Sequence, residues 1–353
     1  MFSLLILTLS LFSLEEKVGQ LLVVHFPGEV YNESAEKLIR EVHVGGIIYY
    51  NWANGLHSPE QIRALSSSLQ KQAKIPLFIA VDQEGGRIVR LKKGFTPFPS
   101  NAVFGEIDDS HLVEQCAYLS AQEASEVGFN LILAPVVDIV PKEGPSAIGD
   151  RSYGSSPDKV ARLARSALSG YKRGGVISCL KHYPGIGSSH IDSHLDLPVT
   201  TTDDRMLYQL LLPHSQMVMT GHVLATSLDT THCATLSKTI LQNHLRPQFD
   251  GVIISDSLVM EGVLKQYNTV SDVAIAALDA GCDLLILGGR HLHGASKELS
   301  PDDVITIHKD IVDAVRTHRL DPSQIDRSFE RILKLKQPGQ TYLSLNTEGS
   351  DPE

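Results

Sequence analysis

Along this chain, short and wholly apolar runs alternate with longer segments whose apolar residues recur every three or four positions. The runs read Leu21-Leu22-Val23-Val24-His25, Gly46-Ile47-Ile48-Tyr49-Tyr50, Leu77-Phe78-Ile79-Ala80-Val81-Asp82 and Asn130-Leu131-Ile132-Leu133-Ala134-Pro135. They continue with Val176-Ile177-Ser178-Cys179-Leu180-Lys181, Met217-Val218-Met219-Thr220-Gly221-His222, Val252-Ile253-Ile254-Ser255-Asp256 and Leu284-Leu285-Ile286-Leu287-Gly288. None shows in–out alternation, so both faces are expected to be buried, as in a parallel sheet covered by helices. The segments between carry helix signals. Ser58-Pro59-Glu60, Ser156-Pro157 and Ser300-Pro301-Asp302-Asp303 each set a capping hydroxyl before a proline at the first helical position. The stretch His111 to Val127 has helical periodicity and stops at Gly128; the helix opened at Ser156 stops near Gly174-Gly175. The segment opened at Ser300 is expected to be the last long helix. Eight strand–helix units predict an α/β fold, a (β/α)8 TIM barrel in a single domain, with a doubly wound open sheet as the runner-up.

The barrel is expected over residues 14–337, behind an apolar segment 1–13 and ahead of a Gly-, Ser-, Asn- and Pro-rich tail, 338–353, read as disordered. Phe2 to Phe12 is too short to span a bilayer but has the length of a signal-peptide core. No Lys or Arg precedes it and no small-x-small site follows, while Ser13 and Glu16 form a capping box for a helix. The expectation is therefore a cytoplasmic chain; a cleaved signal would make it periplasmic or secreted.

Composition narrows the classes. The formal net charge of −10 gives no general attraction to nucleic acid or anionic membranes. No segment has the apolar length of a membrane span. Cys116, Cys179, Cys233 and Cys282 are far apart, with no C-x-x-C pair, and read as buried small apolar residues.

The chemistry gathers where the predicted strands end. Asp82 follows the third run, Asp138 the fourth, Lys181 and His182 the fifth, His222 the sixth and Asp256 the seventh. Carboxyl ends of barrel strands converge on one face, where such barrels place active sites. The densest segment, Lys181-His182-Tyr183-Pro184-Gly185-Ile186-Gly187-Ser188-Ser189-His190-Ile191-Asp192-Ser193-His194, is a loop by its Pro and Gly content. His182, His190, Asp192 and His194 are conceivable metal ligands, but their spacing fits no common zinc pattern and Lys181 would repel a cation, so neither a metal nor a cofactor is expected. Acid–base work fits better: Asp192 can orient and charge-stabilise His194. Asp256, directly off an apolar strand, is either a helix cap or a carboxylate that attacks an anomeric carbon. Val81-Asp82-Gln83-Glu84-Gly85-Gly86-Arg87-Ile88-Val89-Arg90 is Gly-rich but matches no nucleotide-binding loop. Asp82 and Arg90 suit hydrogen bonds to sugar hydroxyls, or a structural ion pair.

Together Asp82-Gln83-Glu84-Gly85-Gly86-Arg87, Gly149-Asp150-Arg151-Ser152-Tyr153-Gly154, the Lys181-His182 to Asp192-Ser193-His194 loop and Ser255-Asp256-Ser257-Leu258 resemble glycoside hydrolase family 3, specifically its single-domain bacterial β-N-acetylhexosaminidases. The resemblance runs from about Leu14 to about Leu335. It implies a (β/α)8 barrel and a retaining mechanism, with Asp256 as nucleophile and His194 as acid/base partnered by Asp192. It implies that Asp82, Arg90, Arg151, Lys181 and His182 hold a terminal N-acetylglucosamine, and that the substrate is a peptidoglycan fragment from cell-wall recycling. A small carbohydrate is then the partner, and the chain is expected to be monomeric. A glycoside phosphorylase, a β-glucosidase of the same family and an inactive sugar-binding barrel are the alternatives. Two departures stand out: Tyr183 and Ile186 replace the Phe and second His of the family's Lys-His-Phe-Pro-Gly-His-Gly loop, and Ser257 stands where many relatives have Asp.

Overall fold

The computed structural model describes residues 11–265, 267–290 and 298–337. Most of the apolar lead-in and the whole tail expected beyond Gln337 lie outside the described residues.

Eight parallel strands close into a barrel. In chain order they are β1 (Leu22–Val24), β2 (Gly46–Ile48), β3 (Phe78–Val81), β4 (Leu131–Ile132), β5 (Ile177–Tyr183), β6 (Met217–Thr220), β7 (Val252–Ser257) and β8 (Leu284–Ile286). Each pairs with its sequence neighbour, and β8 closes on β1 through Leu22 opposite Leu285 and Val23 opposite Ile286. Every expected strand forms at its apolar run, with β5 and β7 extending past theirs to Tyr183 and Ser257. Burial on both faces explains the composition: Leu22, Val23, Ile47, Ile79, Leu131, Leu180, Val218, Ile253 and Leu284 are all wholly buried.

Helices cover the outside, and their starts follow local chemistry. Ser13 caps α1 (Leu14–Gln20) with the full capping box to Glu16. α2 (Glu33–Arg40) turns Ala35, Leu38 and Ile39 inward. Ser58 caps α3 (Pro59–Gln72), and Ser156 caps α5 (Pro157–Arg173), in both cases through the hydroxyl and a proline at the first turn. α4 (Ser110–Glu126) is capped by Asp109 and stops before Gly128, whose φ is +96°. α6 (Arg205–Leu211), α7 (Val270–Ala280) and α8 (Pro301–Arg316) follow β5, β7 and β8.

Two expectations need correction. The helix opened at Ser300 is not the last: α9 (Pro322–Lys336) follows, capped by Asp321 accepting from the Ser323 N–H. The segment between β6 and β7 holds a short π-helical turn, Thr239–Leu245, flanked by the 3-10 turns Ala234–Leu236 and Arg246–Gln248, rather than a long α-helix. Cys179, Cys233 and Cys282 are buried thiols, whereas Cys116 is only partly buried. Among the described residues, no helix is long and apolar enough to cross a membrane.

Candidate active site

A cavity of about 380 Å³ opens at the carboxyl ends of the strands. Asp82, Arg90, Arg151, Lys181, His182, Asp192, His194 and Asp256 all line it, whereas Asp138, His190 and His222, also singled out from the sequence, are not among its lining residues. The supporting geometry has three parts.

The first is a buried ion cluster. The Glu84 carboxylate, almost fully buried, accepts two hydrogen bonds from Arg151, from Nε and Nη2, each at 2.8 Å. The Lys181 ammonium stands 2.7 Å from Glu84 Oε1, which it shares with Arg151 Nη2, and 3.1 Å from Asp82. Burial alone would neutralise Glu84, but Lys181 and Arg151 outweigh it and hold its carboxyl well below the usual range. Arg90 closes the cluster, 3.5 Å from the second oxygen of Asp82. Glu84 is the residue that sequence reasoning missed. It stands in a motif already singled out, but nothing local distinguishes it from a surface carboxylate.

The second part fixes His182. Its Nδ1 is 2.7 Å from Asp138, which is fully buried, and its Nε2 is 3.4 Å from Arg151. The other Asp138 oxygen accepts from the Ile186 N–H at 2.8 Å, so one carboxylate orients the imidazole and pins the loop that follows it. That loop lies close on the β4 connection: a side chain at Gly187 would meet the Ile139 carbonyl at 2.3 Å. Strand irregularity does the rest. Successive side chains of a regular strand face opposite ways, yet Lys181 and His182 both reach the cavity. The register of β5 against β6 shifts between Leu180 and Tyr183, where the Lys181–His182 peptide is cis, and both side chains line the cavity. β7 repeats the device: its register against β8 shifts between Ile254 and Ser257, and Asp256 and Ser257 both line the cavity.

The third part is the pair of groups with reactive character. The Asp256 carboxylate accepts from the Ser257 N–H at 2.7 Å. Burial raises its pKa, but His222, His182 and His194 together with that N–H bring it below the usual range, so it is ionised. His222, fully buried behind it, bridges Thr235 and the Ser257 carbonyl, each at 2.8 Å. Across the cavity, His194 Nδ1 is 2.8 Å from Asp192, which also accepts the His194 backbone N–H at 2.9 Å. Partial burial disfavours the imidazolium, yet the bond from Asp192 and the fields of Asp256 and Asp192 leave the His194 pKa above its ordinary value. The same bond draws Asp192 down to about 2. Because Nδ1 is engaged, Nε2 is the nitrogen available to a bound molecule. Among the described residues, no three His, Cys, Asp or Glu side chains gather closely enough to hold a metal ion.

The family model described as the glycosyl hydrolase family 3 N terminal domain matches residues 13–335. The chain belongs to glycosyl hydrolase family 3. It is therefore a glycoside hydrolase. Similar family members include a beta-hexosaminidase of Methylobacillus flagellatus, 38% identical over 70% of this chain and 74% of that protein. Another, from Nitrosomonas eutropha, is 32% identical over 90% of this chain and 92% of that protein. A solved family 3 beta-N-acetylglucosaminidase from Paenibacillus sp. str. FPU-7 superposes with a TM-score of 0.85 at 34% identity, covering 92% of this chain and 62% of the Paenibacillus chain.

Proposed function

We propose that the protein is a retaining exo-β-N-acetylglucosaminidase that removes a terminal β-linked N-acetylglucosamine from peptidoglycan fragments. The reading rests on the beta-hexosaminidase relatives. One observation carries the mechanism: an ionised Asp256 and an Asp192–His194 pair line the same cavity.

The terminal sugar enters the buried end, where Asp82, Arg90, Arg151, Lys181 and His182 supply hydrogen bonds to its hydroxyls and acetamido group. Asp256 attacks the anomeric carbon; as that bond forms, the glycosidic C–O bond breaks and the His194 Nε2 proton passes to the leaving oxygen. The neutral imidazole then takes a proton from water. The resulting hydroxide displaces Asp256 from the anomeric carbon and restores the starting charges, with overall retention. Asp192 acts throughout by holding the tautomer and balancing the imidazolium, as a carboxylate does for a catalytic histidine elsewhere.

The test offers 4-nitrophenyl β-N-acetylglucosaminide and 4-nitrophenyl β-glucoside to the wild type and to Asp256→Ala. The expected result is preference for the acetamido sugar and a loss on the order of 10⁴-fold in kcat for the variant. Near-normal turnover by Asp256→Ala, or faster cleavage of the glucoside, overturns the assignment.

A further inference from the structure

Asp256 stands where the hydrogen-bond ladder of the barrel gives out. On the β6 side the pairing of β7 ends at Ser255 opposite Thr220, and on the β8 side the register shifts between Ile254 and Ser257. Side chains take over from the ladder, one on each flank. The Ser257 hydroxyl donates to the Gly288 carbonyl beyond β8. The Ser257 carbonyl lies 2.8 Å from Nε2 of His222, two residues beyond the end of β6. His222 is wholly buried and is not among the residues that line the cavity. Its link to the reaction runs through the backbone of the residue next to Asp256.

Hydrogen-bond chemistry fixes how the ring is held. A carbonyl oxygen can only accept, so Nε2 carries the proton. In a neutral imidazole Nδ1 is then an acceptor, and the Thr235 hydroxyl, 2.8 Å from it, is the donor. That hydroxyl has one proton, so toward the Thr220 hydroxyl, 2.9 Å away, it accepts. The result is one directed chain, from Thr220 to Thr235 to His222 to the Ser257 carbonyl. Thr220, Thr235 and His222 are all wholly buried, so a missing member leaves its neighbour unsatisfied rather than hydrated. Burial is also the largest influence on the ring. It opposes a second proton, as do His194 and His182, and the opposing pull of Asp256 and the Ser257 carbonyl does not reverse the shift. The His222 pKa therefore lies below its ordinary value, and the neutral form that the chain requires is the form present near neutral pH.

Both ends of the chain are built into the barrel. Thr220 is on β6, and the 3-10 turn that bears Thr235 is tied back to the end of β6 by the Ala234 N–H, which donates to the Val223 carbonyl at 2.8 Å. The backbone ahead of His222 is packed closely on β5: a side chain at Gly221 would stand 3.1 Å from Cβ of His182.

We infer that His222, its ring set by Thr235, is a positioning residue for the proposed nucleophile: it holds the Ser257 carbonyl, and with it the Asp256 carboxylate, in line with the anomeric carbon. The inference rests on the proposed role of Asp256 and adds the device that aims it.

The experiment measures kcat and KM on 4-nitrophenyl β-N-acetylglucosaminide for the wild type, His222→Ala, His222→Asn, His222→Gln, Thr235→Val and Thr235→Ser, with Asp256→Ala alongside. Gln can place an amide N–H where Nε2 stands, whereas Asn reaches only as far as Nδ1, so the two separate the Ser257 contact from polarity alone. His222→Ala and His222→Asn are expected to lower kcat about 100-fold with KM within about threefold of the wild type, the cost of a misplaced nucleophile. His222→Gln should recover most of that loss and stay within about tenfold of the wild type. Thr235→Ser should behave as the wild type. Thr235→Val keeps the shape but leaves Nδ1 without its donor, and should cost about tenfold in kcat. In spectra of enzyme carrying 15N-labelled histidine, the ring signals missing from His222→Gln should be those of the Nε2–H tautomer. Equal losses in His222→Asn and His222→Gln, a loss carried by KM with kcat unchanged, or a ring protonated on Nδ1 alone overturns this inference and leaves the parent activity standing. Where the His222 variants do not fold, the Thr235 pair decides with the ring intact, and equal kcat in the two overturns it. Near-normal turnover by Asp256→Ala overturns the nucleophile and this inference with it.

Discussion

His194 depends on one neighbour for its chemistry. Asp192 accepts from both its ring and its backbone, and the pKa of the imidazole is thereby raised despite partial burial. An acid with a raised pKa stays protonated to higher pH, so kcat/KM toward a disaccharide should fall only as pH rises through that raised value. Asp192→Asn removes the negative partner, and its alkaline limb should move to lower pH; a pH–rate profile with an unmoved limb would argue that Asp192 does not charge-stabilise the histidine. His194→Ala should cost about 10²–10⁴-fold with a sugar leaving group and much less with 4-nitrophenol, which departs with little protonation. Single-turnover rates on the two substrates provide that comparison.

The interior of the site is made by elements rather than by single residues. Glu84 follows β3 directly, Arg151 sits in the connection after β4 and Lys181 is on β5, so one carboxylate ties neighbouring strand ends together. Glu84→Gln keeps the shape but leaves two buried cations short of a counter-charge. The expected result is a fall of about 10–100-fold in kcat/KM through displaced substrate ligands, together with a lower Tm. Calorimetry and steady-state kinetics on the same preparation would show both. How much of this was legible varies by residue. Asp82, Lys181, His182 and Asp256 could be found because each ends an apolar run. Asp138 and His222 were visible as strand-end residues, but their partners were not, since Asp138 reaches across to β5 and His222 to Thr235 and β7. Glu84 escaped because its burial comes entirely from distant chain segments.

At the scale of the whole molecule, the far end of the barrel is held by another buried carboxylate. Asp283, fully buried ahead of β8, accepts from Arg246 at 2.5 Å, Arg331 at 3.0 Å, Ser328 at 2.8 Å and the Ile253 N–H at 2.9 Å. It fastens α9 to β7. Asp283→Ala should therefore destabilise the protein by about 3 kcal/mol, the cost of removing the buried carboxylate shared by two partly buried guanidinium groups, with urea unfolding as the measurement. Intact cleavage kinetics below the transition would show that this network is separate from the site. Acid should act on the site cluster instead. The Glu84 pKa is depressed in the folded state, so its contribution is fully present above the ordinary Glu range and is lost as pH falls toward the depressed native value. Glu84→Gln should accordingly flatten the loss of stability between about pH 4.5 and lower pH.

By itself the sequence determined a helix-covered parallel sheet, expected as a barrel with an open sheet as the runner-up, and the address of its chemistry. Runs apolar on both faces can be buried only in a helix-covered parallel sheet, and a charged residue ending such a run is placed at the rim whatever its partners are. Local capping chemistry likewise settled where α1, α3, α5 and α8 begin. Only the tertiary structure decided which rim residues act together. Where the registers of β5 and β7 shift, consecutive side chains face the same cavity, against the period of a regular strand, and no pattern in one chain segment announces it. The pairings of Glu84 with Arg151 and Lys181, and the stacking of Arg290 on Trp52, join residues far apart in sequence. Burial and charge balance belong to a place in space, and they exist only once the strands have brought those residues together.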